Sequence, residues 1–313
     1  MGALVAVLLV AAPAQVQVSH RRVLAADGAA LALYRYAPPG EGATRPPVLL
    51  LPDLGFSRLV FDLYGEGLAR WLSARGFLVY VGEVRGQGRA EPGGSLQAIA
   101  TLDVPALVAA VQQDRPGPVD LLVQGYAGTL ALAASGPGVR RVVAINTPVA
   151  LEVPSRLVEQ FLGEGGRFSD LGSSPEGALA FDLLFAMGAR FPAHVLEALR
   201  LRAAKDLSAS AAAGLLGWMR TGDLALGDGT SVASRLRAFD RPTLQLLALA
   251  DGFASPELCS TLREVSKAKV TLATFSRFED SEDYSHLSIL LGTSAAREVF
   301  PRIERFLLEE DAL

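Results

Sequence analysis

A single cysteine, three histidines, 7% aromatic residues and 20% charged residues leave this chain of 313 residues without several kinds of chemistry. The lone Cys259 excludes an intrachain disulfide and a Cys-rich metal site, and it reads as a small buried apolar residue. His194, just past Phe191-Pro192, has no Cys or carboxylate at ligand spacing, so no metal is expected. The formal net charge is -4, and no basic stripe invites a nucleic acid backbone. The Gly-rich stretch "RGQGRAEPGG" follows a strand pattern but does not run into a helix, which argues against a dinucleotide, and no other cofactor is expected. No internal repeat is visible.

A long apolar span is also missing. The first residues, "MGALVAVLLVAAPAQVQ", hold an uncharged run of about a dozen residues, short of the roughly 20 that cross a bilayer but suited to a signal-peptide core. "APA" before Gln15 resembles a small-residue cleavage site, yet no Lys or Arg precedes the run. Residues 1–16 are therefore expected to be either a signal or anchor, giving export or membrane contact, or a buried element of a cytoplasmic protein.

What is present is a chain that is 50% hydrophobic, with β-branched and apolar runs alternating with amphipathic stretches. That alternation predicts an α/β fold with a mostly parallel central sheet flanked by helices. "VQVSHRRVLA" and "LALYRYA" predict a hairpin turning at Asp27-Gly28. "PPVLLLPDLG" is a buried strand entering a loop, followed by a helix over 61–75, the strand "FLVYVGEV" and a helix over 102–113. Val119 to Val123 is the next strand, Tyr126 to Ala134 a helix and "VRRVVAIN" a strand. From about 151 to 236 only helices are predicted, which reads as a lid inserted into a core made of residues 17–150 and 237–313. Apolar residues such as Phe161, Phe181, Phe185 and Met187 recur there at helical spacing, either lining a cleft or packing the lid on the sheet.

The stretch "VDLLVQGYAGTLALAASG", strand then tight turn then small-residue helix, is the setting that the G-x-S-x-G nucleophile elbow requires. With "LLLPDLGFSR", "VGEVRGQGRA", "LALADGFASP" and "YSHLSILLG" in that order, the chain resembles the α/β-hydrolase family of lipases and esterases from about Gln17 to Leu308. The resemblance implies Asp251 as the acid and His286 as the base, with an interval between them that accommodates one helix and one strand. It implies an oxyanion hole from the backbone N–H groups of Leu54 and Gly128, and substrate contacts from Tyr126 and Phe56.

In this register Ala127 stands where the serine would be, and a methyl group can neither attack a carbonyl nor give His286 a proton. A second departure is Pro52-Asp53 in place of His-Gly: a carboxylate turned into the hole would oppose an oxyanion, whereas one turned away would face solvent or cap the next helix. Three readings stay open. The first is a hydrolase-fold protein that no longer cleaves esters and binds a small apolar, acyl or lipid-like ligand. The others are an enzyme using Asp251 and His286 as a serine-independent general base, and an active ester hydrolase with its nucleophile elsewhere.

Overall fold

The computed structural model describes residues 15–39, 45–150, 154–171 and 173–309. The segment read above as a signal, an anchor or a buried element lies outside them over residues 1–14.

Eight strands form one sheet: β1 (Gln17–Leu24), β2 (Ala30–Ala37), β3 (Val48–Leu51), β4 (Val79–Glu83), β5 (Val119–Gln124), β6 (Val139–Ile145), β7 (Thr243–Ala248) and β8 (Val270–Phe275). They lie in the order β1-β2-β4-β3-β5-β6-β7-β8. β1 and β2 form the antiparallel hairpin turning at Asp27-Gly28, β2 runs antiparallel to β4, and every other pairing is parallel. β3, β4, β5 and β7 are buried at every position. Helices cover both faces there, which is why these strands read as continuous apolar runs instead of alternating ones. β1 is the opposite case: all of it but Val23 is exposed, and its Arg21 and Arg22 charges sit on a sheet edge, where they discourage pairing with another chain.

Helices α1 (Leu68–Ser73), α2 (Val104–Asp114) and α3 (Gly125–Ala134) connect the first parallel strands. The helix expected over 61–75 is shorter than the sequence suggests. Residues 58–60 form a 3-10 turn, and a tight turn bridges Leu63 to Glu66 before α1 begins. Gly67 enforces the break: its φ is 128°, and a Cβ there would lie 2.5 Å from the Phe61 carbonyl oxygen.

Between β6 and β7 the described residues are largely helical and add no strand to the sheet. They include α4 (Arg156–Gly163), α5 (Phe168–Leu171), a π-helical turn at Asp182–Ala186, α6 (Ala209–Thr221) and α7 (Val232–Ala238). Phe161, Phe168, Phe181 and Phe185 from this segment are all buried, so the aromatic stripe packs largely as core, with Phe161 bordering a small cavity and exposed Met187 another. After β8, α8 (Phe300–Leu308) closes the described chain. No helix among the described residues is long and apolar enough to cross a membrane.

The strand order positions the site. β4 lies on one side of β3 and β5 on the other, so the connections leaving β3 and β5 diverge and open a crevice at their carboxyl ends, where open α/β sheets bind ligands. Leu51 pairs with Val123 across these neighbours, which puts Asp53 and Gly125 each two residues beyond the same rung.

Candidate active site

β5 runs directly into α3, and the residue that takes the strained turn is Gly125, with φ 57°. The apex of the turn is therefore Gly125 and not Ala127, a shift of two residues from the register read off the glycines. The sequence match aligned Gly125 with the first glycine of the motif, but the strand extends through Gln124, so the left-handed residue comes earlier. Ala127 sits within the first turn of α3, buried, with no role for its methyl group at the tip.

Above Gly125 lies Asp53. A Cβ on Gly125 would fall 1.9 Å from Asp53 Oδ2, so the carboxylate fills the space that any side chain at the apex would need. Asp53 Oδ1 accepts the backbone N–H of Leu54 at 2.7 Å and that of Ala127 at 3.0 Å. The two converging donors are thus Leu54 and Ala127; Gly128 instead packs its Cα side against Thr147 and Val123. Asp53 is fully buried and caps α3, so it neither faces solvent nor caps the helix that follows it in sequence. The N-terminal end of α3, with its exposed N–H dipoles, favours an anion at this spot.

His286 and Asp251 come together as the sequence implied. His286 Nδ1 and Asp251 Oδ2 are 2.8 Å apart, and Asp251 Oδ1 accepts the N–H groups of Phe253 and Ala254. The other ring nitrogen, Nε2, lies 3.1 Å from Asp53 Oδ2. That contact is off the N–H direction, and neither atom has a hydrogen-bond partner among the described residues, so it acts as an ion pair and not as an aligned hydrogen bond. A neutral imidazole donating from Nδ1 to Asp251 would turn a lone pair at Nε2 onto a carboxylate oxygen, which is repulsive. A second proton on the ring removes the conflict. Burial alone pulls the imidazole's pKa down, but the charge of Asp251 and its hydrogen bond, reinforced by Asp53, outweigh this and raise it to about 10. His286 is accordingly an imidazolium at neutral pH, held between two carboxylates. Nitrogen-detected NMR of the histidine side chains at pH 7 should show both ring nitrogens of His286 protonated; a neutral ring would contradict this assignment.

The surroundings close over this triad of charges. Phe56, Phe185 and Phe253 lie 6.2, 5.7 and 5.6 Å from the imidazole, measured between ring centroids. Phe168 packs on Phe56 at 5.0 Å and so tightly on Gly55 that a Cβ there would be 2.1 Å from its ring. Phe185 also pins the histidine loop, since its carbonyl accepts the Leu287 N–H and the Ser285 hydroxyl. Tyr126 is buried and donates its hydroxyl to the Phe253 carbonyl at 3.2 Å. Of the two residues assigned to substrate contact by the resemblance, Phe56 is packed inside, whereas Tyr126 borders a cavity. A cavity of about 160 Å3 adjoins Asp251 and Tyr126, but neither Gly125 nor His286 lines it.

Two residues that sequence reasoning passed over hold the arrangement. The side-chain amide of Gln87 donates to the carbonyls of Pro52 and Asp53, and that of Gln124 donates to the His286 carbonyl at 2.8 Å. Gln87 lies inside the "RGQGRA" segment already singled out, but a glutamine in a Gly-rich loop carries no signal of which backbone it will reach. Among the described residues no group of three or more His, Cys, Asp or Glu side chains could hold a metal ion.

With this geometry in place, comparison with solved structures decides the architecture. At 18% identity, a thermophilic esterase from Thermogutta terrifontis superposes with a TM-score of 0.60, covering 92% of this chain and 98% of its own. An N-formylmaleamic acid deformylase from Pseudomonas putida does so with 0.62 at 16% identity, over 91% and 100%. A hydrolase from Pseudomonas aeruginosa gives 0.62 at 18% identity, over 93% and 99%. The fold is that of the α/β hydrolases. No protein-family model and no curated protein matches the sequence. Set on the α/β-hydrolase fold, Gly125 is the strand-to-helix apex, Asp251 and His286 follow β7 and β8, and Asp53 follows β3.

Proposed function

We propose that this chain is a non-hydrolytic α/β-hydrolase-fold protein that binds a small apolar, acyl- or lipid-like ligand. One observation carries the loss of hydrolysis: the Asp53 carboxylate sits over Gly125, takes the Leu54 and Ala127 N–H groups and faces His286 Nε2. It stands in for the missing nucleophile and for the oxyanion at once. Ester cleavage needs an attacking oxygen, a base to deprotonate it and donors free to receive negative charge. Here the apex has no side chain, the base already carries its second proton and the donors are taken.

The general-base alternative fares no better, because both imidazole nitrogens face carboxylates and the ring is fully buried. A relocated nucleophile lacks support as well: among the described residues neither ring nitrogen bonds to a hydroxyl or thiol. Thr129 donates to the Pro148 carbonyl and Ser285 to the Phe185 carbonyl. Losing the nucleophile and base of a triad costs on the order of a million-fold in turnover. Purified protein is expected to leave p-nitrophenyl butyrate unhydrolysed above background and to take no label from a fluorophosphonate probe. Labelling at any residue would overturn the proposal.

A further inference from the structure

Away from the closed centre, the described residues enclose a cavity suited to a ligand. A cavity of about 760 Å3 lies between α1, the segment around residues 192–195 and the stretch from Leu290 to Phe300. Its volume falls within the range of about 300–1,000 Å3 typical of small-molecule sites. None of Asp53, Gly125, Asp251 and His286 lines it.

The lining is amphipathic in a directed way. Trp71, Val195, Leu290 and Phe300 give an apolar wall. Arg70, Arg75 and His194 bring cationic or proton-accepting groups, against Glu66 as the anionic side chain of the lining. Arg70 donates from Nε to Asp62 Oδ1 at 2.8 Å, and its two terminal nitrogens have no partner among the described residues. Asp62 cannot neutralise it alone, since the same carboxylate also pairs with Arg58 at 3.1 Å and accepts the Tyr36 hydroxyl at 2.9 Å. One negative charge thus serves two guanidiniums. Arg75 stacks on Trp71 with its guanidinium 3.5 Å from the ring centroid, and its Nε is 3.6 Å from Glu304, so its planar face is held at the cavity wall. The His194 ring lies 5.7 Å from that of Tyr64 at the mouth.

We infer that this cavity binds an amphipathic monoanion, a carboxylate carried on an alkyl or aromatic body, with its head at Arg70 and its body against Trp71, Leu290 and Phe300. Guanidiniums match carboxylates in a paired geometry, and Arg70, bonded to Asp62 through Nε alone, keeps its two terminal nitrogens for such a head. The inference rests on the binding-protein reading above and gives it a place and a ligand class.

The test uses the full chain and dodecanoate below its micellar concentration. Trp71 lines the cavity and Trp218, the other of the two tryptophans, is buried in α6, so intrinsic fluorescence reports on the cavity. Saturable quenching is expected. Arg70→Gln should weaken binding tenfold or more, Ala296→Phe, at an exposed lining position, should abolish it by filling the space, and dodecanol should bind at least tenfold more weakly than dodecanoate. Absence of saturable quenching overturns the inference, as does equal binding by wild type and Ala296→Phe or equal binding of the alcohol. Failure here leaves the ester and fluorophosphonate results untouched, so the two readings fail separately.

Discussion

Gly125→Ser alone is expected to destabilise the protein by about 2–5 kcal/mol and to yield no esterase, and Asp53→Gly should cost less in that background than it costs alone. A serine at a strand-to-helix apex carries backbone strain in any hydrolase of this fold, worth roughly 1–3 kcal/mol. Here there is a second cost, because a Cβ at position 125 would sit 1.9 Å from Asp53 Oδ2 in a fully buried site. The carboxylate has no room to retreat: its oxygens are fixed by the Leu54 and Ala127 N–H groups on one side and by His286 on the other. Removing Asp53 relieves the clash and frees the same two donors. A double-mutant cycle read by urea unfolding should therefore give a favourable coupling of roughly 1–3 kcal/mol. Strict additivity would mean that the two positions do not compete for one space. Ala127→Ser, the substitution that the motif register alone would select, should leave the protein without esterase activity, because that side chain lies in the first turn of α3 and not at its apex.

Asp53→Ala should cost on the order of 3–5 kcal/mol, the range found when one partner of a buried ion pair is removed. It leaves a buried imidazolium facing a void and two buried N–H groups without their acceptor. The pH dependence of wild-type stability follows from the same contacts. The folded pKa of His286 is about 10 against an ordinary 6.5, so the stabilisation is fully present below about pH 6.5 and is lost as pH rises through about 10. Its full size is on the order of 5 kcal/mol. Urea midpoints measured from pH 6 to pH 10.5 should fall across this window in the wild type and fall less steeply in Asp53→Asn, whose amide removes one of the two charges that hold the ring protonated. Parallel profiles for the two proteins would show that Asp53 does not sustain the imidazolium.

The closed centre thus has a consistent physical logic. A catalytic site is kept open and strained because its charges must meet a substrate, whereas every charge in this one meets another part of the chain. The aromatic layer from Phe56, Phe168, Phe185 and Phe253 then covers the Asp53–His286 contact and keeps water from it.

Much of this was legible in the chain itself. The apolar runs "VLLL" and "VDLLVQ" read as strands buried on both faces, and the family resemblance brought Asp251 and His286 to one edge of the sheet, where their side chains meet. The absence of a serine on the turn after β5 was equally plain. Three things were decided by tertiary structure. The apex fell on Gly125 because the strand hydrogen bonds run through Gln124, and a motif anchored on glycines cannot see where a strand ends. Asp53 turned inward because its neighbour's N–H group, the Ala127 N–H at the start of α3 and the His286 imidazolium, the last two from segments remote in sequence, outweigh its loss of water. The aromatic stripe became a plug and not a cleft because periodicity shows which side of a helix is apolar, while only the packed neighbour determines whether that side meets a ligand or the protein's own interior.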